Sequence, residues 1–196
     1  MKTTLTSLLI CAAIWISPLG TAQDSSATDE VQTAPKVKIT RVVEDVPQLR
    51  NLYHVSAQNT PSGFVVPRFV SLKFGRVNGR TGPSLDHPIA WQYQRRSLPL
   101  LVVAETEMWR RVRDISGDEA WVRKPTLSGD RYVLTLKEAQ LHAKPKDGAT
   151  LVAISDRDAL LKLEECNDAG WCRVRAENGL KGWTARDHLW GAQSLR

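Results

Sequence analysis

Two clusters of tryptophan and arginine and one pair of cysteines have the types and spacing to do chemistry in this chain. The sequence reads MWRRVRDISGDEAW from Met108 to Trp121 and GWCRVRAENGLKGW from Gly170 to Trp183. Each has the form W-x-R-V-R, a glycine-bearing turn, and a second tryptophan. An indole offers a flat apolar face with one N–H donor, and a guanidinium can hold a carboxylate with two parallel hydrogen bonds. Together they suit recognition rather than bond cleavage. The four histidines, His54, His87, His142 and His188, show no metal-ligand spacing. No G-x-S-x-G elbow, Gly-rich phosphate loop or Cys–His pairing is present, and the acidic residues are scattered. No catalytic residue, metal site or cofactor is expected, and the chain reads as a non-enzyme.

What the cysteines do depends on the compartment. Lys2 precedes the uncharged apolar run LTSLLICAAIWI, followed by Pro18 and then GTA before Gln23. That is the order of a secretory signal, so residues 1–22 are expected to be removed and the protein to be exported to the periplasm. The run is short for a membrane span and is broken by Pro18 and Gly20. An uncleaved anchor is the alternative, whereas a lipoprotein site at Cys11 is disfavoured by the bulky Ile10 before it. Without Cys11 the exported chain keeps Cys166 and Cys172. An even pair in an oxidising compartment reads as a disulfide. A free thiol pair and a redox centre are the alternatives, the latter without its usual C-x-x-C spacing. Asn167, Asp168 and Gly170 between them are turn formers, and a hairpin there would bring the two sulfurs together.

The formal net charge is +6, and loss of Lys2, the only charge in residues 1–22, leaves 6 − 1 = +5. An exported protein rarely meets nucleic acid, so that partner is not expected. The stretches RRVRD, RKPTLSGDR and KPKDG interleave acids with bases, as a solvated surface does. Attraction to an anionic polymer such as the cell wall, or to an anionic membrane surface, stays open. No stable membrane span is expected after cleavage.

The elements that must position these residues come in two sets. Residues 23–63 begin with the polar QDSSATDEVQTAP and read as a mostly disordered linker. Within it VKITRVVEDV could form a short strand or an added edge. Beyond the linker an offset of 62 relates Trp109 to Trp171 and Trp121 to Trp183. Held without gaps, it also matches Leu72 with Leu134, Pro83 with Pro145, Leu101 with Leu163, Val112 with Val174 and Gly117 with Gly179. Self-similarity at a fixed period marks repeated units, here residues 64–130 and 131–192. Each unit reads as short strands divided by turns, with no helical period. The expected class is all-β: two tandem small barrels after a signal peptide and a flexible linker. A module of this size has a thin core, which makes a disulfide in one of them useful.

The order RVNGRTGPS, HPIAW, LPLLVVAETEMWRRVRD and EAWV resembles the bacterial Src-homology-3 (SH3-like) domain, in the tandem form of exported proteobacterial proteins. LHAKP, LEECNDAGWCRVR and GWTARDHLWG look like its second copy. The likeness covers residues 64–192. Two positions depart from the family pattern. Gly79 stands where an apolar strand residue is usual, and Ala120 replaces the glycine usual before the second tryptophan.

Side chains alternate across a strand. With Val112 and Val174 facing the core, Arg110 shares the inner face, and Trp109, Arg111, Arg113, Trp171, Arg173 and Arg175 point outward. A β-bulge after the turn would reverse this for the tryptophans. In Src-homology-3 folds an aromatic at the start of this strand helps to form the peptide groove, so the resemblance points to Trp109 and Trp171 as groove residues, with Arg111 and Arg173 beside them. Burial in the core or between modules is the alternative. Trp121 and Trp183, each starting a strand after a turn, are expected in the core. Trp91 and Tyr93 share one face and could widen the first groove, where the second unit has only Ala153 and Ser155. Asn78 and Arg80 fit the family's VN-x-R pattern, and Arg80 could hold a carboxylate or brace its turn through backbone carbonyls. Trp190 could pack between the units. The expected function is an exported, non-catalytic module recognising cell-wall peptide or glycan, with a periplasmic protein-protein adaptor as the alternative.

Overall fold

The computed structural model describes residue 49 and residues 52–195; the segment read as a signal and most of that read as linker lie outside the described residues. The first barrel consists of β1 (Arg68–Leu72), β2 (Val77–Arg80), β3 (Ile89–Tyr93), β4 (Pro99–Glu105), β5 (Trp109–Arg113), β6 (Glu119–Arg123) and β7 (Leu127–Ser128). The second repeats the plan with β8 (Tyr132–Thr135), β9 (Ala139–His142), β10 (Leu151–Ser155), β11 (Leu160–Cys166), β12 (Trp171–Arg175), β13 (Lys181–Ala185) and β14 (Leu189–Trp190). The strand orders are β3-β2-β6-β5-β4-β1-β7 and β10-β9-β13-β12-β11-β8-β14, antiparallel throughout. The described residues are thus all-β apart from short 3-10 turns.

Alternation sets the cores. Val112 and Arg110 on β5 face inward with Ala120 and Val122 on β6, and Cys172 and Val174 on β12 face inward with Thr184 on β13. The turns that join these strand pairs need glycine in the left-handed region, at Gly117 (φ 93°) and Gly179 (φ 84°). Asp114 fixes the first of them by accepting the backbone N–H groups of Ser116 and Asp118.

The 62-residue offset holds for β2, β3, β5, β6 and β7 against their counterparts, but not throughout. Val102 pairs with Val112, whereas Leu163 pairs with Val174, so β4 and β11 are related by 61. Ser71 faces Pro99, whereas Leu134 faces Leu160, so β1 and β8 are related by 63. The sequence matches of Leu72 with Leu134 and of Leu101 with Leu163 are therefore corrected to Thr135 and Lys162. One residue has moved between neighbouring loops: residues 94–98 against 156–159, and 106–108 against 167–170.

The two departures at Gly79 and Ala120 compensate one another. A Cβ on Gly79 would lie 2.8 Å from the Cβ of Ala120 across β2 and β6. In the second barrel the same pair is Leu141 and Gly182, and a Cβ on Gly182 would lie 2.6 Å from that of Leu141. One member of the facing pair must be glycine. Where the first barrel lacks the leucine, Tyr93 and Trp91 supply core volume that Ser155 and Ala153 cannot.

A third apolar cluster joins the barrels. Trp190 is fully buried among Phe69, Leu101 and Leu134, its ring edge-on to Phe69 at 5.1 Å and its Nε1 donating to the Pro99 carbonyl at 3.3 Å. Leu49 and Leu52 also pack on this cluster, and Val55 pairs with Val66.

Candidate functional site

Cross-strand register aligns one row of side chains on the outer face of each barrel. In the first, Ile89 faces Arg80, Arg80 faces Trp121, Trp121 faces Arg111, and Arg111 faces Ala104. In the second the row is Leu151, His142, Trp183, Arg173 and Glu165. Facing residues of this kind hold their Cβ atoms about 5 Å apart. Each row therefore presents a tryptophan flanked by basic side chains, Arg80 and Arg111 in the first and His142 and Arg173 in the second.

Trp121 and Trp183, expected in the core, are corrected to this outer face, where both are partly exposed. The five-residue turn 114–118 sets Trp121 opposite Arg111 rather than Val112, and Ala120 and Val122 take the inward places. The equivalent turn sets Trp183 opposite Arg173.

Trp109 lies on the same face but is only 8% exposed, which corrects its reading as an open groove residue. Across from it on β6 stands Arg123, and beyond that pair the Lys124 N–H donates to the Met108 carbonyl. Opposite Trp171 stands the small Ala185, and Trp171 stays partly exposed. Its ring meets His142 edge-on at 5.8 Å. His142 donates from Nδ1 to the Ala149 carbonyl at 3.0 Å, which fixes the ring orientation. Three aromatic groups, Trp171, His142 and Trp183, thus gather on the second barrel.

Trp91 and Tyr93 do not widen a groove. Tyr93 is 6% exposed and belongs to the first core, Trp91 packs against that core, and their rings meet edge-on at 6.1 Å. Burial pushes the Tyr93 phenol well above its usual range. The physical reason is the missing side chain at Gly79, whose space lies 3.3 Å from Tyr93 and 3.4 Å from Trp91. Asn78 is exposed and accepts from Gln92 Nε2 at 2.8 Å. Arg80 donates from Nη1 to the carbonyls of Leu85 and His87 at 3.0 and 2.7 Å, bracing its turn.

Carboxylates hold the arginines beside the tryptophans. Glu119 pairs with both Arg111 and Arg113 at 2.6 Å. Arg173 lies 3.4 Å from Glu164 and 3.6 Å from Glu165. Glu164 also accepts Arg175 Nε at 2.6 Å and pairs with Lys181 at 3.1 Å, and hydrogen bonds from these two hold its carboxyl below the usual range. Arg80 has no carboxylate partner among the described residues. Cys166 and Cys172 are joined as a disulfide, facing one another across β11 and β12.

Among the described residues, no group of three or more His, Cys, Asp or Glu side chains could hold a metal ion, and no helix is long and apolar enough to cross a membrane. Residues 73–129 and 136–191 each match the family described as the bacterial SH3 domain. No curated protein matches the chain. Two solved structures similar to it come from Trichomonas vaginalis: NlpC2, 16% identical over 64% of this chain and 48% of that one, and NlpC1, 17% identical over 63% and 45%. Both have a TM-score of 0.30. The chain spans less than half the length of either.

Proposed function

The chain belongs to the bacterial SH3 domain family, whose two matches take in more than half of it, and from that premise we propose that it is an exported, non-catalytic module that binds cell-wall peptide or glycan. The observation that carries the reading is the pair of outward rows centred on Trp121 and Trp183. An exposed indole face stacks on the apolar face of a sugar ring or on a peptide plane. The adjoining Arg80 supplies an uncompensated positive charge for a wall carboxylate.

An adaptor role toward a periplasmic protein is favoured by a different observation. β10 is the outer strand of its sheet, with Leu151, Val152 and Ile154 exposed, and such an edge can accept a strand from a partner. Sedimentation of the purified full chain with isolated peptidoglycan separates the two. Wall binding requires co-sedimentation that Trp121→Ala and Trp183→Ala weaken. A chain that stays in the supernatant, yet retrieves one stoichiometric protein from periplasmic extract, refutes wall recognition in favour of the adaptor.

A further inference from the structure

Resting on the wall-binding reading, we propose that the cleft beside the second row binds a zwitterionic group, one carboxylate and one ammonium on the same small ligand. The cleft is open to solvent and has a volume of about 450 Å³ between β11, the turn 167–170 and the segment Ala192–Ser194. That is the size of a small-molecule site. Its charged lining is Arg131, Arg186, Glu164, Glu165 and Asp168.

Two of these acids are already engaged, Glu164 by Arg173, Arg175 and Lys181 and Glu165 by Arg173. The remaining three charged groups are not. Among the described residues Arg131 and Arg186 have no carboxylate partner and Asp168 has no cation. Arg131 donates to the Gly191 carbonyl and Arg186 to the Asn167 carbonyl, while Arg186 Nε is buried without any partner. One cleft thus holds unpaired charges of both signs.

The first barrel provides a precedent for the carboxylate. Arg68 faces Val102 on β4 as Arg131 faces Leu163 on β11, so the two arginines are equivalent. Arg68 pairs with Glu105 at 2.6 Å. In the second barrel the Glu105 place is taken by Cys166, tied to Cys172 and uncharged. Arg131 has therefore lost its internal carboxylate, and a ligand's can stand in its stead. The ammonium of the same ligand then meets Asp168. The disulfide closes the turn that carries Asp168 and the Asn167 carbonyl that holds Arg186, so the wall is set before the ligand arrives. Glu165 lines the cleft and ends the row through Arg173, so a chain lying on Trp183 runs into it.

The test titrates the oxidised full chain with 6-aminohexanoate, hexanoate and hexylamine at equal ionic strength, read by amide chemical shifts of the cleft residues. Saturable binding of 6-aminohexanoate, about tenfold tighter than either singly charged probe and weakened about tenfold by Arg131→Gln and by Asp168→Asn, is expected. Asp168 is an exposed turn residue, so its variant tests the charge without endangering the fold. Equal affinities for the three probes, or no saturable shift, overturn the proposal. If the wall sediments the wild-type chain but the probes fail, the cleft proposal alone falls. If 6-aminohexanoate binds selectively but the wall does not sediment the chain, the wall reading falls and the cleft stands.

Discussion

Glu105 and Arg110 meet across β4 and β5 at the register position where the second barrel joins Cys166 to Cys172. The ion pair spans 3.0 Å, with both side chains no more than 3% exposed. Glu105 also receives Arg68 at 2.6 Å and the Ser62 N–H at 3.0 Å. Two small barrels of one plan thus brace the same end by different means, one ionic and one covalent.

Glu105→Gln leaves the Arg110 guanidinium buried without its counter-charge, and the expected loss is about 3–5 kcal/mol, read as a lower urea midpoint. Burial works against the Glu105 carboxylate, but hydrogen bonds from Ser62 and Arg68 outweigh it and hold its pKa below the usual range. The native form is therefore the poorer proton binder. The contribution of Glu105 is complete above the ordinary carboxylate range and fades as pH falls through the lowered native value. The melting temperature of the wild type should fall more steeply in acid than that of Glu105→Gln; parallel curves would assign the acid sensitivity elsewhere.

The intact mass of the protein purified without reductant should rise by two hydrogens on reduction. Reductant should cost about 2 kcal/mol, the expected value for so short a loop, and the double variant Cys166→Ser, Cys172→Ser should no longer respond to it. An unchanged mass would exclude the bond in the purified protein.

At the β2–β6 contact, Gly79→Ala should destabilise by about 1–3 kcal/mol, because its Cβ would press on that of Ala120. Ala120→Gly in the same chain should restore most of that loss. A double-mutant cycle with no coupling would mean that the two positions do not share one space.

Trp109→Ala should cost about 3–5 kcal/mol, since the ring is nearly buried. Trp121→Ala should cost distinctly less while weakening wall sedimentation. Thermal melts that place the two variants together would defeat the assignment of Trp121 to the outer row.

How far the sequence could be read depended on what each feature needs. Strand content, the repeat, the turn glycines and the cysteine pair are local or periodic, and those were legible. The inward place of Val112 and Arg110 followed from alternation. Alternation names a face but not how open it is, so the near-complete burial of Trp109 was hidden. The outward place of Trp121 required knowing which residue it faces, and only the turn length sets that. His142 gathers neighbours from three strands and leaves no signal in its own segment. Leucine-rich strands also disguised the one-residue slips, because Leu101 finds Leu163 at an offset of 62 while its structural counterpart is Lys162.

Trp190→Ala should divide one cooperative melt into two, since the ring joins Phe69 and the Pro99 carbonyl of the first barrel to the strand that ends the second. A single unchanged transition would show that the seam is held by other contacts.

That seam has a mechanical meaning. With Trp190 seated against Phe69 and Gly191 passing under the Tyr132 carbonyl and Pro99, tension on one barrel reaches the other through packed rings as well as through the few residues that connect β7 to β8. The pair is then a strut rather than two beads on a thread, and a polymer gripped at both rows would be held at a fixed gauge.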